Sequence, residues 1–315
     1  MPPETLPGFY EGYVIVDYGS GVALVPVSVQ VAAVIGEGVS RLELSGSQNR
    51  SYNNYAVEGQ FDWGWRYESA DWRSFPVIVE DPSIAGYIVT VRWSGLNTTI
   101  DLAVAGLGLT LLTVPSETLF YGAVYAAKLN WPPYYPRHGI QAIYDSPMPK
   151  MASVFAPDYG FVLERLGFIK SRPPFWVVVK NVIAEASRQA GYPEQFTLII
   201  VPVRVDAPVE VTVKPGESTS IPVRVYGSYS LSGALATPVV VEGVASTSVT
   251  PEVLPIGFDH KLTVAVKAES DSVVVLGLQL RFTPQVSIGY NMAGTRAVLE
   301  LLPGLLLVPI TVKTG

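Results

Sequence analysis

Short apolar runs separated by turn-forming residues recur along most of this chain, and such runs predict β-strands. The clearest case lies near the start, where the runs 12–16 and 22–29 flank the turn-forming residues DYGSG at 17–21. Two apolar runs around such a turn are typical of a β-hairpin. Because a two-stranded hairpin is only marginally stable in water by itself, we expect this one to dock on the next domain or to pair with another chain.

Seven further runs before residue 206 are predicted as strands: 41–44, 56–65, 73–79, 87–93, 99–105, 176–183 and 195–205. Side chains point to alternate sides of a strand, so Val89, Val91 and Trp93 should share one face. The segment 180–190 contains helix-forming residues, but its Val- and Ile-rich start and the GYP turn at 191–193 favour strand, loop and strand. The segment of about 115–174 is rich in Pro and Tyr and is predicted to form long loops.

The last third of the chain, 206–315, repeats the pattern of short strands and turns. The run VEVTVKPGESTSIPVRV predicts a hairpin around Lys214–Glu217, and further apolar runs follow at regular spacing. Such spacing is typical of an immunoglobulin-like sandwich, and no helical periodicity is visible. The predicted fold is therefore all-β: an orphan hairpin (1–40), a jelly-roll-like sandwich with a loop-rich insertion (41–205), and an immunoglobulin-like sandwich (206–315).

Composition narrows the classes of function. Charged residues make up 15% of the 315 residues, against about 25% in an average soluble protein, and the net charge is −6. Without a basic stripe to neutralise phosphates, nucleic acid is not an expected partner. The chain has no cysteine, which excludes disulfides and zinc–thiolate sites. The apolar runs 102–114 and 299–312 are too short or too interrupted for the roughly 20 residues of a membrane-spanning helix.

Four of the six tryptophans lie in two neighbouring stretches, FDWGWRYESADWRSF (61–75) and YIVTVRWSGLNTTIDLA (87–103). Large rings in strands bury a large apolar area, so a structural core is the favoured interpretation of this cluster. The two stretches also resemble the β-rich region that follows the protease domain in archaeal secreted subtilisin-like serine proteases. That family usually carries an aspartate pair, D-x-D-L, in the second stretch. Here Asp101 and Leu102 remain, and Thr99 stands in place of the first aspartate.

The resemblance covers about residues 8–205 and implies an extracellular, non-catalytic region of a larger protein. In the family, the N-terminal hairpin closes a fibronectin-type-III-like sandwich, so we expect this chain to be a fragment that begins inside a domain. The catalytic triad of the family is absent: the two histidines, His138 and His260, lack the H-G-T-H context, and Arg296 occupies the position of the nucleophile in Gly-Thr-Arg-Ala. The chain is therefore predicted not to be an enzyme.

Candidate ligand sites are few. Calcium binds carboxylates on the loops of β-sandwiches, and the candidates near the tryptophan cluster are Asp62, Glu68, Asp71 and Asp101. The competing interpretation is that the loop carboxylates pair with neighbouring arginines. Asn49 and Asn97 match the N-x-S/T pattern for N-glycosylation. Trp131, Tyr134 and Tyr135, in a loop-like context, are candidates for stacking on sugar rings.

Three functions compete on these observations. The first is the non-catalytic β-sandwich region of an archaeal subtilisin-like protease, which stabilises the parent or docks it on a surface or substrate. The second is a subunit of an extracellular filament or surface layer that assembles by strand exchange, since unpaired strand edges are templates for pairing between chains. The third is a carbohydrate-binding module, for which cell-surface glycans would be the partners.

Overall fold

The computed structural model describes residues 5–45, 55–58, 60–61, 72–93, 99–106, 119–124, 150–183, 193–282 and 304–315. Nineteen strands and one short helix lie in these ranges. The strands before residue 150 are β1 (Gly8–Asp17), β2 (Val22–Val31), β3 (Ala33–Ile35), β4 (Leu42–Leu44), β5 (Ala56–Glu58), β6 (Gln60–Phe61), β7 (Trp72–Val79), β8 (Ile84–Trp93), β9 (Thr99–Gly106) and β10 (Leu119–Val124). They are followed by β11 (Lys150–Pro157), α1 (Tyr159–Arg165), β12 (Phe175–Ile183), β13 (Pro193–Asp206), β14 (Glu210–Val213), β15 (Ser218–Glu242), β16 (Ala245–Thr250), β17 (Gly257–Ala268), β18 (Ser272–Phe282) and β19 (Gly304–Thr314). The prediction of an all-β sandwich fold is confirmed.

The first core lies between two sheets of the N-terminal half. One sheet has the strand order β10-β9-β12-β7-β3, and the other contains β11, β8 and β13 side by side. Between them pack Phe75, Val89, Leu102, Phe175 and Leu198, all nearly inaccessible to solvent. Trp93 joins this core at 7% exposure, as expected for one member of the tryptophan cluster.

The sheet formed by β11, β8 and β13 is buried on both faces. Along β13, Leu198 and Ile200 point into the first core, whereas Ile199, Val201 and Val203 point into a second core shared with the C-terminal strands. Strand β8 alternates in the same way, with Val89 in the first core and Ile88 in the second. This middle layer explains why both strands are apolar almost throughout, because neither of their faces meets water.

The second core lies inside the C-terminal sandwich, where β15 joins the layers. The first part of this 25-residue strand pairs with β17, and its last part pairs with β18. The registers shift between Tyr226 and Leu231 and again near Ser232, so the strand turns the corner between layers at these irregularities. Inside lie the aliphatic side chains Val223, Val264, Leu276, Leu306 and Ile310.

The prediction that the segment of about 115–174 forms long loops is wrong for its described part. The insertion 115–174 is not only loop, because it contains β10, β11 and α1. Strand β11 pairs with β8 and so belongs to the middle layer. The helix has only seven residues, too short to show a periodicity in the sequence, and it begins where the side chain of Asp158 accepts a hydrogen bond from the backbone N–H of Phe161.

The predicted hairpin around Lys214–Glu217 is also wrong. The turn itself exists, since the N–H of Glu217 donates to the carbonyl of Lys214 at 2.9 Å. However, β14 before it pairs in parallel with β19, and β15 after it pairs with β17. The turn therefore carries the chain between two different strand partners. The strand expected from residue 218 and the apolar run at 238–242 are parts of one strand, β15.

Candidate interaction surface

The β1–β2 hairpin has the sequence-predicted strands and forms a two-stranded sheet of its own. Its turn is closed by a hydrogen bond from the Tyr18 N–H to the Gly21 carbonyl at 3.2 Å. The carboxylate of Asp17 accepts from the N–H of Gly19 at 2.9 Å, and Gly19 has a φ of +78°, which glycine adopts without strain. The turn chemistry therefore determines the register of all ten residue pairs.

The apolar side chains of this hairpin are exposed on both faces. Consecutive residues of β1 show this directly: Tyr13 is 70% exposed, Val14 52% and Ile15 68%. The paired strand is similar, with Leu24 at 61% and Val25 at 47%. A sheet inside a sandwich hides at least one face, so a hairpin with two exposed apolar faces marks a surface for another partner.

The two faces differ in charge. Cross-strand pairs place one set of side chains together, which we call the valine face: Tyr10, Gly12, Val14, Val16, Ala23, Val25, Val27 and Val29. The opposite set is the mixed face: Glu11, Tyr13, Ile15, Asp17, Val22, Leu24, Pro26 and Ser28. The valine face contains no charged residue, whereas the mixed face contains two carboxylates. The valine face is therefore the one that can be buried without desolvating a charge.

The base of the hairpin is attached to the first core. The hydroxyl of Tyr55 donates to the carbonyl of Pro7 at 2.6 Å. The Tyr55 ring stacks on Phe75 with centroids 5.4 Å apart and meets Phe196 edge-on at 6.1 Å. Strand β3, which follows the hairpin, pairs in parallel with β7. The hairpin thus projects from a rigid base.

Buried charges elsewhere in the described residues hold loops together. Asp158 lies next to α1, where it accepts from the hydroxyl of Tyr87 at 2.6 Å and lies 3.4 Å from Nη1 of Arg172. Burial raises the pKa of Asp158, against the lowering effect of these partners. Nη1 of Arg172 also donates to the carbonyl of Ile84, while its Nε donates to Glu164 and its Nη2 to the carbonyl of Pro82. This group therefore connects α1 and the loop after it to the turn before β8.

Arg165 and Arg204 have similar structural roles. Arg165 joins α1 to the C-terminal sandwich by donating to the carbonyls of Ala207, Pro208 and Pro309. Burial lowers the pKa of Arg165. Arg204 donates to the carboxylate of Asp81 at 2.8 Å.

Most of the predicted ligand residues lie outside the described residues. These are Asp62, Glu68 and Asp71 of the calcium set, the two asparagines Asn49 and Asn97, the aromatic residues Trp131, Tyr134 and Tyr135, and also His138 and Arg296. Asp101 lies in β9, where its backbone is opposite that of Lys180 in the neighbouring strand β12. Among the described residues, no three histidine or acidic side chains cluster closely enough to hold a metal ion. These sites remain predictions.

His260 lies in β17 and is 4% exposed. Its Nε2 is 3.1 Å from the carbonyl oxygen of Gly257, so that ring nitrogen has a hydrogen-bond partner in the same strand. Within the described ranges, no helix is both long and apolar enough to cross a membrane.

Comparison with known proteins adds little to this picture. No protein-family model matches the chain, and no curated protein is similar to it. Among solved structures, a PapD-like domain of human CEP192 (an ASH domain, PapD-like domain 7) aligns with 36% of this chain and 84% of its own length. The identity is 10% and the TM-score is 0.22.

Proposed function

We propose that this chain is a non-catalytic, extracellular β-sandwich protein that assembles with further copies of itself through the β1–β2 hairpin. The observation that carries the proposal is the exposure of apolar side chains on both faces of that hairpin. Two strands alone bury too little surface to be stable in water, so a partner that covers them is strongly favoured. The low content of charged residues fits a protein whose surface packs against neighbours.

A second candidate is the accessory region of an archaeal subtilisin-like protease, where it would stabilise the parent or dock it on a surface. Two observations favour it. The stretch FDWGWRYESADWRSF resembles that family, and the hairpin corresponds to the one that closes a fibronectin-type-III-like sandwich there. In this case the hairpin is covered by other strands of the parent protein, and the isolated chain stays monomeric.

Light scattering on the purified chain over a wide range of concentration separates the two candidates. The comparison is a variant that lacks residues 1–31. None of the described side chains between residues 5 and 31 belongs to either hydrophobic core, and β3 begins only at Ala33, so the remaining strands keep their partners. Circular dichroism verifies that the shortened chain is folded.

Self-assembly predicts that the particle mass of the full chain rises with concentration above the 34.0 kDa of one copy, whereas the shortened chain stays monomeric. A full chain that remains monomeric at every concentration contradicts self-assembly and favours the protease-tail function. A shortened chain that assembles as well as the full one shows that the hairpin is not the contact.

A further inference from the structure

A second apolar surface lies on the outside of the C-terminal sandwich. The strands β15, β18 and β19 are neighbours in one sheet, and their cross-strand pairs align side chains in rows. One row is Leu235, Gln279 and Leu305, to which an isolated bridge adds Val253. The next two rows are Thr237, Gly277, Leu307 and Val239, Val275, Pro309. None of these residues is charged.

Four apolar side chains of these rows are exposed, Val275 and Leu307 are half-buried, and Pro309 is buried. Leu235 is 43% exposed, Val239 51%, Val253 61% and Leu305 47%. The intervening residues point inward and are fully buried, such as Leu276. We call the outward set the acceptor face: Leu235, Val239, Val253, Val275, Leu305 and Leu307. An uncharged patch of valine and leucine on the outside of a sheet is typical of an interaction surface.

We propose that the acceptor face binds the valine face of the β1–β2 hairpin of a second copy of this chain. The inference rests on the proposed self-assembly and names the surface that receives the hairpin. Both surfaces consist of β-branched and leucine side chains on strands, which pack face to face at about 10 Å between sheets. The mixed face stays in water, because the acceptor face has no basic residue to neutralise Glu11 or Asp17.

The strands that carry the two surfaces have similar lengths. Both hairpin strands have ten residues, and β18 and β19 have eleven each. At about 3.4 Å per residue, all four strands are close to 35 Å long.

The size of the contact indicates how the copies assemble. Two strands of this length, about 5 Å apart, cover only about 350 Å² of the facing sheet. That is well below the roughly 800 Å² per partner of a standard interface, so one contact by itself is weak. The valine face and the acceptor face are different surfaces of the chain. An assembly of any number of copies in a row therefore ends with one unoccupied valine face and one unoccupied acceptor face. A head-to-tail contact of this kind builds rings or open filaments.

Cross-linking tests the pair of surfaces directly, because the chain has no native cysteine. The full-length variants Val25→Cys (valine face) and Val239→Cys (acceptor face) are mixed and treated with a short bismaleimide. The matched control replaces Val25→Cys by Leu24→Cys, the neighbouring residue on the mixed face. We expect covalent heterodimers in several-fold higher yield from Val25→Cys than from Leu24→Cys.

Two results of this experiment overturn the assignment. Equal yields from the two hairpin variants mean that the thiols meet by random collision. Val25→Cys linking mainly to itself means that two hairpins face each other, which leaves self-assembly in place but removes the acceptor face from it.

A charge variant separates failure of this inference from failure of the proposed function. Val239→Lys places a charge in the acceptor face, and Phe168→Lys does the same at a residue that is 74% exposed in the loop after α1. We expect Val239→Lys to abolish the rise of particle mass with concentration and Phe168→Lys to leave it unchanged. If assembly needs residues 1–31 but survives Val239→Lys, the acceptor face is wrong and the proposed function stands. If the unaltered chain never assembles, both are wrong.

Discussion

Replacing Asp81 by alanine is expected to destabilise the junction between the two cores. Asp81 lies in the turn between β7 and β8, and its Oδ2 accepts from Nε of Arg204 in β13 at 2.8 Å. The two side chains are 7% and 10% exposed. Nη2 of Arg204 also donates to the carbonyl of Val39 at 2.8 Å, so one guanidinium connects three segments. Asp81→Ala leaves this guanidinium buried without its counter-ion.

The magnitude follows from the burial of the pair. Removing one partner of a buried ion pair costs about 3–5 kcal/mol, because the remaining charge is desolvated and unpaired. The Val39 carbonyl still accepts one hydrogen bond, which places the expected loss near the lower end, at about 3 kcal/mol. Replacing both partners, Asp81→Ala with Arg204→Met, removes the uncompensated charge and should restore part of the stability.

The pH dependence gives an independent check. Burial alone would raise the pKa of Asp81, but hydrogen bonds from Ser83 and Arg204 outweigh it and hold that pKa below its ordinary value. The carboxylate therefore stabilises the fold above its unfolded pKa of about 3.9, and this contribution is lost as the pH falls through the lower folded value. The stability difference between the unaltered chain and Asp81→Ala should be full at pH 7 and shrink in strong acid.

Urea unfolding followed by tryptophan fluorescence at a series of pH values measures both quantities. A cost below about 1 kcal/mol at neutral pH, which is what an exposed ion pair contributes, would mean that water reaches the guanidinium of Arg204 and solvates it. A stability difference that does not change between neutral and acidic pH would contradict the lowered pKa of Asp81.

Three further predictions concern other parts of the fold. Tyr55→Phe removes the hydrogen bond to the Pro7 carbonyl and should accelerate amide hydrogen exchange in the hairpin while costing only about 1 kcal/mol in global stability; unchanged exchange contradicts this anchoring role. The pKa of Asp158 is raised on folding, so the unaltered chain should lose stability as the pH rises above about 3.9 and the carboxyl loses its proton. Asp158→Asn should remove this loss, because the amide does not titrate. A pH profile of thermal unfolding identical to that of the unaltered chain contradicts this expectation. Gly243→Ala should lower stability by at least about 2 kcal/mol in denaturant unfolding, because Gly243 has a φ of +83° and a Cβ there collides with the carbonyl oxygen of Asp271; a loss below about 1 kcal/mol contradicts the clash.

Local pattern explains which predictions of the fold were correct. Strands such as β1, β2 and β8 were predictable because short runs of β-branched and aromatic residues between turn signals indicate strands from neighbouring residues alone. The turn at 17–21 was predictable for the same reason, since Asp17 and Gly19 close it by contacts within the turn itself. The helix α1 was missed because a seven-residue helix shows no complete periodic pattern.

The candidate surface was only partly predictable. The hairpin was identified from its sequence, and so was its need for a partner. The acceptor face was not, because its residues come from β15, β18 and β19 and from the segment around Val253, which are separated along the chain. The sequence of each strand shows two apolar sides, and nothing in it tells which side meets the core.

By itself, the sequence determined that this protein is built from β-strands, where most of them lie, and that its surface carries few charges. Only the tertiary structure decided which strands pair. Strand β14 does not pair with β15, the next strand in the sequence, but in parallel with β19, and no turn between β14 and β19 sets their register. The tertiary structure also decided that β8 and β13 are buried on both faces, whereas β1 and β2 expose both. The physical reason is that strand propensity and turn chemistry are properties of neighbouring residues, whereas burial depends on what distant parts of the chain place against each face.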